Sequence, residues 1–403
     1  MKLIRKYSLL IVGLGFSKLG DWIYLVALNL FVWHLTPSPA AMAGIFIVGP
    51  VARVLTSLVA GSFIDRMNKR KLMITTDIIR GLIVFCMPFL ESIWLIYTLL
   101  FIANIASSFF GPSSTYYITK FVPSKDRQRF NAILGTFNSG SFLIGPALAG
   151  LLIILFNTTV TIWFNSFTFL VCALIISFLP DVDDMKEISR QRITWQLLKS
   201  DYLAVLAFIR QNLLFITIYL LFQSALMIAF ALDSQEATFI KQDLALSDSL
   251  YGAFVSSAGA GAIFGGIVAA SFAKKWSTRS YIAFGLFLTM LFYTAFYAST
   301  SSILAFVSLV FLGFFMAFSN SGYETFYQQN VPPEIMGRFG SFANIFQNIL
   351  QISLTLLLGL FAELFTLQMT AIIFGIISIL FSISLYFVLY SQKNYIGLKE
   401  EIV

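Results

Sequence analysis

The fold is decided by the stretch Gly61-Ser-Phe-Ile-Asp65-Arg66-Met-Asn-Lys69-Arg70-Lys71-Leu72, a short basic segment between two long apolar runs. Four cations fall within the six residues from Arg66 to Lys71, and the carboxylate of Asp65 stands beside them. Short cytoplasmic loops of membrane proteins carry an excess of lysine and arginine. The stretch is therefore typical of a cytoplasmic loop that joins two membrane-spanning helices.

Composition extends this interpretation to the whole chain. Of its 403 residues 58% are apolar and only 11% are charged, and the 44 phenylalanines are spread along the full length. Since a spanning helix needs about 20 mainly apolar residues, the sequence predicts an all-α integral membrane protein with twelve spans. These spans are predicted at about 7–34, 40–63, 72–91, 93–119, 130–155, 158–179, 211–232, 250–273, 280–299, 302–329, 341–362 and 367–390.

The beginning of the chain has the charge pattern of a signal peptide, with Lys2, Arg5 and Lys6 before an apolar run. The run is too long for a signal peptide, however, and it contains Lys18 and Asp21. We interpret it as an uncleaved first span.

The placement of cations gives the predicted topology. Of the 26 lysines and arginines, 22 fall in the termini and connections on one side of the layout, which the positive-inside rule assigns to the cytoplasm. Lys241 is the only cation in a loop on the other side, while Lys18, Arg53 and Arg80 lie within spans. Both termini are therefore predicted to be cytoplasmic. Topology accounts for the net charge of +7 without a nucleic-acid partner.

The two halves of the chain share a repeat. Val122-Pro123 and Arg129-Phe130 recur at one common offset as Val331-Pro332 and Arg338-Phe339. Such self-similarity predicts two duplicated six-helix halves. The predicted domains are an N-terminal bundle at 1–180, a cytoplasmic linker with an amphipathic helix at 181–210, and a C-terminal bundle with a short cytoplasmic tail at 211–403.

Several classes of activity lack the residues that they need. His34 is the only histidine, which excludes His-rich metal sites and Ser-His or Cys-His catalysis. Cys86 and Cys172 both lie within predicted spans, so we expect them to serve in packing and not in a structural disulfide. The chain also has no phosphate-binding Gly-Lys loop for ATP-driven transport. These absences favour a secondary carrier, not an enzyme, with neither a metal nor a cofactor.

Two segments carry a family resemblance. The opening stretch, with a glycine four residues before an Asp-Arg pair and then a basic cluster, resembles the loop between helices 2 and 3 of the major facilitator superfamily. Within span 5, Gly140-Ser-Phe-Leu-Ile-Gly145-Pro146-Ala-Leu-Ala149-Gly150 is similar to the antiporter motif of drug:proton exporters, although Ala149 stands where a second glycine is usual. The small residues of such a motif let two helices approach closely, and Pro146 weakens the helix where it bends.

Further segments extend the resemblance over nearly the whole chain: Ser17-Lys-Leu-Gly20-Asp21-Trp22, Asp77-Ile-Ile-Arg80, and Gln329-Asn-Val-Pro332 with Gly337-Arg338. Together they are similar to the drug:proton antiporter family type 3, which includes macrolide and peptide-antibiotic exporters. The resemblance implies two pseudo-symmetric six-helix bundles in a bacterial-type plasma membrane. It also implies a monomer that exports a hydrophobic or amphipathic small molecule by alternating access, coupled to protons.

Charges inside the spans are the candidates for mechanism. Each costs about 2.5–3.5 kcal/mol at a helix centre, so we expect Lys18, Asp21, Arg53, Asp77, Arg80 and Glu324 to be paired or to face water. Asp21 is the leading candidate for proton coupling, and Lys18 and Glu324 are the other candidates. Because Lys18 lies one turn away and favours the ionised carboxylate, a permanently charged structural role for Asp21 stays open.

The resemblance also implies a cytoplasmic gate formed by Gly61, Asp65, Arg66, Arg70, Asp77 and Arg80. The alternative is that these residues only set topology and helix ends. Polar or aromatic positions within spans are candidates for lining a substrate cavity: Trp22, Asn29, Arg53, Asn138, Phe142, Asn165, Gln223, Asn344 and Gln347. Any one of them is more often a helix-to-helix contact than a ligand contact.

Two transport functions remain open on this sequence, while a third, non-transporting class such as a membrane receptor or an assembly factor is disfavoured because it has no need of charges within spans or of a gate-like loop. The first is the proton-coupled export of a drug or antibiotic, and the second is a carrier of a lipid, such as a lysophospholipid, or of a metabolite on the same fold. No motif in the chain distinguishes the two.

Overall fold

The computed structural model describes residues 2–57, 67–182, 195–272 and 275–391. Twelve helices in these ranges are long and apolar enough to cross a membrane, which confirms the all-α membrane fold predicted from the sequence. The first six are α1 (Lys2–Leu35), α2 (Pro39–Ser57), α3 (Lys69–Cys86), α4 (Ile93–Phe121), α5 (Ser124–Leu155) and α6 (Thr158–Ser177). The rest are α8 (Leu213–Asp233), α9 (Asp248–Phe272), α10 (Thr278–Ala298), α11 (Ser302–Asn330), α12 (Pro333–Leu364) and α13 (Leu367–Ser391).

An additional helix, α7 (Trp195–Gln211), precedes α8 and corresponds to the amphipathic helix of the predicted linker. It buries Val205 and Phe208, and the Phe208 ring packs edge-on against Phe339 of α12 with 5.7 Å between the ring centroids. Its apolar face is therefore covered at least in part by protein.

Lys69, Arg70 and Lys71 of the basic cluster form the first turn of α3, so the helix begins three residues before the predicted span. Asn68 starts it, because its side-chain oxygen accepts a hydrogen bond of 2.8 Å from the backbone N–H of Lys71. Cations at a helix N-terminus oppose the helix dipole. Arg70 offsets this by donating to the backbone carbonyls of Ile176 and Ser177, where the C-terminus of α6 favours positive charge.

The chain divides into two compact units. The first comprises residues 1–192 and 246–256, and the second comprises residues 193–245 and 257–403. In the first unit α1 packs against α5 and α6, while α3 packs against α4 and α6. In the second, α10 packs against α11 and α13, and α8 packs against α12 and α13. The domain boundaries drawn from the sequence repeat stay a prediction.

Small residues bring helix backbones into direct contact in the second unit. A Cβ atom on Gly261 of α9 would overlap the backbone carbonyl of Val310, and one on Gly313 of α11 would overlap that of Ala258. Membrane helices gain little from burying apolar surface against one another, so close packing of this kind holds them together.

Candidate functional site

The second unit contains a cavity of about 350 Å³ between α8, α11 and α12. This volume falls within the range of about 300–1,000 Å³ that small-molecule sites occupy. Its apolar and aromatic lining residues are Tyr219, Phe222, Leu226, Met227, Phe230, Tyr323, Tyr327 and Ala343. Its polar lining residues are Gln223, Asn320, Glu324, Asn344 and Gln347.

Two amide side chains position the tyrosines of the cavity. Gln223 donates from Nε2 to the hydroxyl of Tyr323 over 2.9 Å, and Gln347 donates from Nε2 to the hydroxyl of Tyr219 over 3.1 Å. The Tyr323 ring also stacks on Phe222 with 4.1 Å between centroids and only 6° between planes. Contacts on both the ring and the hydroxyl hold Tyr323 in one orientation.

Glu324 supplies the charge of the cavity. Among the described residues it is the only lining side chain with a carboxyl, amine or guanidine group, and it has no ion-pair partner there. A carboxylate within a spanning segment is costly unless it faces water or a cation. The cavity therefore combines one anion with aromatic faces and hydrogen-bonding groups, a combination that suits a cationic amphipathic ligand.

Four residues predicted from the sequence meet at this cavity, namely Gln223, Glu324, Asn344 and Gln347. The tyrosines of its wall were not predicted. Their spacing carried a signal, because Asn320, Tyr323 and Tyr327 recur at intervals of three and four residues and so share one face of α11.

The candidate charges of the first unit form two pairs with different environments. Lys18 lies 3.1 Å from Asp21 on α1, and their side chains are 55% and 32% exposed. Asp77 pairs with Arg80 on α3, where the exposed fractions are 0% and 7%. The Arg80 guanidinium also lies over the rings of Phe110 and Phe169, at 4.6 Å and 4.2 Å from their centroids. The first pair is accessible, whereas the second is enclosed by aromatic side chains.

The remaining candidates of the first unit make separate contacts among the described residues. Trp22 and Phe142 contact each other with ring centroids 4.7 Å apart, and both are half-buried. Asn29 is buried and donates to the Tyr251 hydroxyl over 2.9 Å. Asn165 is also buried, on α6, and accepts a hydrogen bond from the next turn of its own helix. These two asparagines have the surroundings of helix-packing residues.

Two further cavity candidates, Arg53 on α2 and Asn138 on α5, are exposed. The side chains of Arg53 and Asn104 both lie near Gly49. A Cβ atom built on that glycine would be 3.4 Å from Nη1 of Arg53 and 3.1 Å from Oδ1 of Asn104. Neither residue lines the cavity of the second unit.

Three residues predicted for the gate, Gly61, Asp65 and Arg66, lie outside the described residues. The other three are Arg70, Asp77 and Arg80. Arg70 donates to the Ile176 carbonyl and Arg80 donates to Asp77, and both hydrogen bonds lie within the first unit. The gate stays a prediction.

The small-residue motif of α5 contacts two helices. A Cβ atom on Gly145 would lie 2.5 Å from Cβ of Trp22 on α1, and one on Gly150 would lie 3.0 Å from the Ser249 carbonyl oxygen, at the start of α9. Gly140 differs, because a Cβ there would meet nothing within 4 Å among the described residues. Among the described residues, Gly145 and Gly150 of the motif are therefore in close packing, and Gly140 is not.

Gly145→Leu is expected to lower stability by about 1–3 kcal/mol, because the added side chain must force α1 and α5 apart. Gly140→Leu is the matched control on the same helix, and there we expect no loss, since the site has room and leucine favours helix over glycine. Thermal unfolding of the purified variants in detergent measures the difference. Equal melting temperatures for the two variants would contradict a close contact at Gly145.

The second unit also contains a pair of acids, Asp233 and Glu236, that was not predicted from the sequence. The buried hydroxyl of Tyr293 on α10 contacts Asp233 at the end of α8, and it lies 2.8 Å from Oε1 of Glu236 in the following loop. Burial raises the pKa of the Glu236 carboxyl to about 8, and the nearby Asp233 charge adds to the increase, against the opposing effect of the Tyr293 hydrogen bond. A phenol has one proton for two acceptors, so this cluster favours a protonated carboxyl.

Comparison with known proteins places the chain in a family. The model for the Major Facilitator Superfamily matches residues 10–352 and 235–400. The chain therefore belongs to the Major Facilitator Superfamily, in agreement with the twelve apolar helices found among its described residues.

Two relatives come from Bacillus subtilis (strain 168). The chain is 28% identical over 165 residues to the uncharacterized MFS-type transporter YfiS, an alignment that covers 41% of this chain and 40% of YfiS. It is also 28% identical over 171 residues to the putative bacilysin exporter BacE, covering 42% of each. The alignments thus span less than half the length of either relative.

The fold is similar to that of a bacterial homologue of the human lysosomal transporter Spinster. The two share 14% sequence identity and a TM-score of 0.74, and the comparison covers all of both chains. At this identity the likeness concerns the fold alone. The family, the relatives and the structural neighbour are all transporters, consistent with a protein that is not an enzyme.

Proposed function

We propose that the protein is a proton-coupled exporter of a hydrophobic or amphipathic small molecule, of the drug:proton antiporter type 3 kind. The observation that carries this proposal is the cavity of α8, α11 and α12, which joins aromatic walls to the carboxylate of Glu324, a group without an ion-pair partner among the described residues. The similarity to BacE, named as a putative exporter, supports the outward direction.

Proton coupling in this proposal uses carboxylates within the spans. Asp21 is the first candidate, because its side chain is 32% exposed and its partner Lys18 is also accessible. Glu324 is the second, because a proton and a cationic substrate would compete for the same oxygen atoms. Protonation of either carboxylate on the acidic side of the membrane would then be linked to release of the substrate.

The proposal also includes the predicted topology. The chain acts as a monomer in a bacterial-type plasma membrane with both termini in the cytoplasm, and it uses the proton gradient without a cofactor. The 22 cations on one side of the layout support this orientation.

Inverted membrane vesicles, whose cytoplasmic face is outward, test the direction. They are expected to accumulate a fluorescent cationic amphiphile when their interior is acidified, and Asp21→Asn should abolish that accumulation while equilibrium binding of the compound persists. Vesicles without the protein serve as the control. Accumulation only in right-side-out vesicles would contradict export and would favour uptake of a lipid or metabolite instead.

A further inference from the structure

The only histidine of the chain lies in an ion pair between two helices that are far apart in sequence. His34 is in the last turn of α1, and Asp248 is in the first turn of α9. Nε2 of His34 lies 2.8 Å from Oδ2 of Asp248, and the two side chains are 52% and 26% exposed. Protons of the surrounding solution therefore reach the imidazole, and the pH of that solution sets its charge.

Two further contacts hold the same turns of α9. The Tyr251 hydroxyl accepts a buried hydrogen bond of 2.9 Å from Nδ2 of Asn29 on α1. A Cβ atom on Gly252 would lie 2.6 Å from the backbone carbonyl oxygen of Pro146 on α5. Residues 246–256 accordingly belong to the first unit. The beginning of α9 is thus packed against α1 and α5, with the ion pair at its exposed end.

The rest of α9 belongs to the second unit. A Cβ atom on Gly265 would overlap the backbone carbonyl of Phe314 on α11, and α11 also carries Tyr323 and Glu324 of the cavity. The helix is unbroken from Asp248 to Phe272. Contacts that hold its first turns therefore restrain the same helix that packs against a wall of the cavity.

The charge of the imidazole decides the strength of the ion pair. Histidine is the side chain whose ordinary pKa places its change of charge between pH 5 and 8. Carboxylates ordinarily stay ionised over that range. A neutral imidazole can still donate a hydrogen bond from Nε2, but a charge-assisted hydrogen bond is about twice as strong as a neutral one. The contact between α1 and α9 is therefore strongest in acid and weakens as the pH rises.

The elements around His34 carry few other titratable side chains. Tyr251 lies one turn after Asp248 on α9, and the segment before α9 contains Lys241 and Asp243. The ends of α2, α5 and α6 that are nearest to His34 have no Asp, Glu, His, Lys, Arg, Tyr or Cys within three turns. The structure pairs the imidazole with Asp248, so this carboxylate is the group that responds to its charge.

We infer that His34 and Asp248 form a pH-dependent clasp, which holds the first turns of α9 against α1 in acid and loosens them as the imidazole loses its proton. On the predicted topology the clasp faces the exterior, where the proton gradient makes the medium acidic. Its regulation of export rests on the proposed function and that topology. The clasp itself is a property of the purified protein.

The test is hydrogen–deuterium exchange of the purified full chain in detergent, without substrate or proton gradient, at pH 5.5 and pH 8.5. Each variant is compared with the wild type at the same pH, so that the chemical exchange rate cancels and the ratio reports opening of the helix. Exposed ion pairs contribute about 0.2–1 kcal/mol. At pH 5.5 we therefore expect Asp248→Asn to raise the exchange of residues 248–256 about 2- to 5-fold.

At pH 8.5 the same variant should exchange nearly as the wild type does. Any loss of favourable charge at the helix N-terminus is the same at both pH values, so the difference between them isolates the ion pair. His34→Gln should give the same pattern. Residues 261–272 of the same helix pack within the second unit and should be unaffected, which provides an internal control.

Two variants distinguish the clasp from ordinary packing. His34→Lys keeps a positive charge over the whole range, so α9 should be as protected at pH 8.5 as at pH 5.5. Tyr251→Phe removes the hydrogen bond from Asn29 and should raise the exchange equally at both pH values. Asp243→Asn is the matched control for charge, because this exposed carboxylate is five residues before Asp248 and should leave the pH dependence unchanged.

Equal exchange ratios of Asp248→Asn at the two pH values would overturn the inference. So would a His34→Lys variant that loosens at pH 8.5 as the wild type does. Failure of the proposed function has a different signature, in which the exchange results hold but vesicles accumulate no substrate under an imposed proton gradient. Export by a protein whose α9 exchange ignores the charge of residue 34 would leave the proposed function standing and the inference wrong.

Discussion

Asp77→Ala is expected to destabilise the protein by about 3–5 kcal/mol, because it leaves the Arg80 guanidinium charged and buried without its counter-ion. Asp77 is fully buried and Arg80 is 7% exposed, and the rings of Phe110 and Phe169 cover the guanidinium. Water cannot replace the lost carboxylate in that position. The midpoint of thermal unfolding in detergent should fall accordingly.

The pair Lys18 and Asp21 provides a matched control. It has the same spacing of three residues on a helix, but its side chains are 55% and 32% exposed. Ion pairs with this exposure contribute about 0–1 kcal/mol, so Asp21→Ala should have little effect on the same melting curve. A loss of similar size in both variants would show that burial does not decide the effect.

A double substitution tests the physical reason further. Nε of Arg80 has no hydrogen-bond partner among the described residues, so the pair is incompletely satisfied. Replacement of an incompletely satisfied buried pair by apolar residues of similar volume is often neutral or stabilising. Asp77→Leu combined with Arg80→Met should therefore recover most of the stability that Asp77→Ala loses. A double variant as unstable as the single one would contradict this account.

Much of the fold could be predicted because the membrane imposes strong constraints on composition. Twelve apolar runs and basic loops are properties of single segments, so they can be identified without knowledge of any tertiary contact. The helix ends were less certain. Lys69 to Lys71 were assigned to a loop, but the Asn68 cap and the contacts of Arg70 with the end of α6 make them helical.

The candidate sites could be predicted only in part, because a site depends on contacts between distant segments. Glu324 and Gln223 stood out as polar residues within apolar runs. Asp233 and Glu236 did not, because Asp233-Ser-Gln-Glu236 has the composition of an ordinary polar loop after a span. Its burial arises where the helical turn Glu236–Thr238 and the π-helical turn Phe239–Asp243 follow α8 and bring Glu236 against Tyr293.

That acid cluster is expected to make stability depend on pH in a defined range. The titratable groups around Glu236 are Asp233, Tyr293 and Tyr297, together with Lys241 and Asp243 of its own loop. Burial raises the pKa of Glu236 from 4.5 to about 8, so between these values the folded protein holds a proton that the unfolded chain releases. Its contribution to stability is therefore complete below pH 4.5 and is lost as the pH rises to about 8.

The slope in that range should reach at most about 1.4 kcal/mol per pH unit, the value for one proton released on unfolding. Glu236→Gln should remove this contribution, because the amide does not titrate. Glu363→Gln, an exposed residue of α12 in the same unit, should leave the slope unchanged. Melting temperatures in detergent across the range measure all three proteins.

Tyr293→Phe distinguishes a specific proton site from general titration of the surface. The Tyr293 hydroxyl lowers the pKa of Glu236 by hydrogen bonding to it, so its removal should extend the decline in stability to higher pH. Nonspecific titration of carboxylates would produce no such extension, since one phenol cannot change the average surface charge in this range. Two results would show that Glu236 is ionised in the folded protein and holds no proton. One is a wild-type stability that increases with pH in this range, and the other is the same dependence of stability on pH in Glu236→Gln as in the wild type.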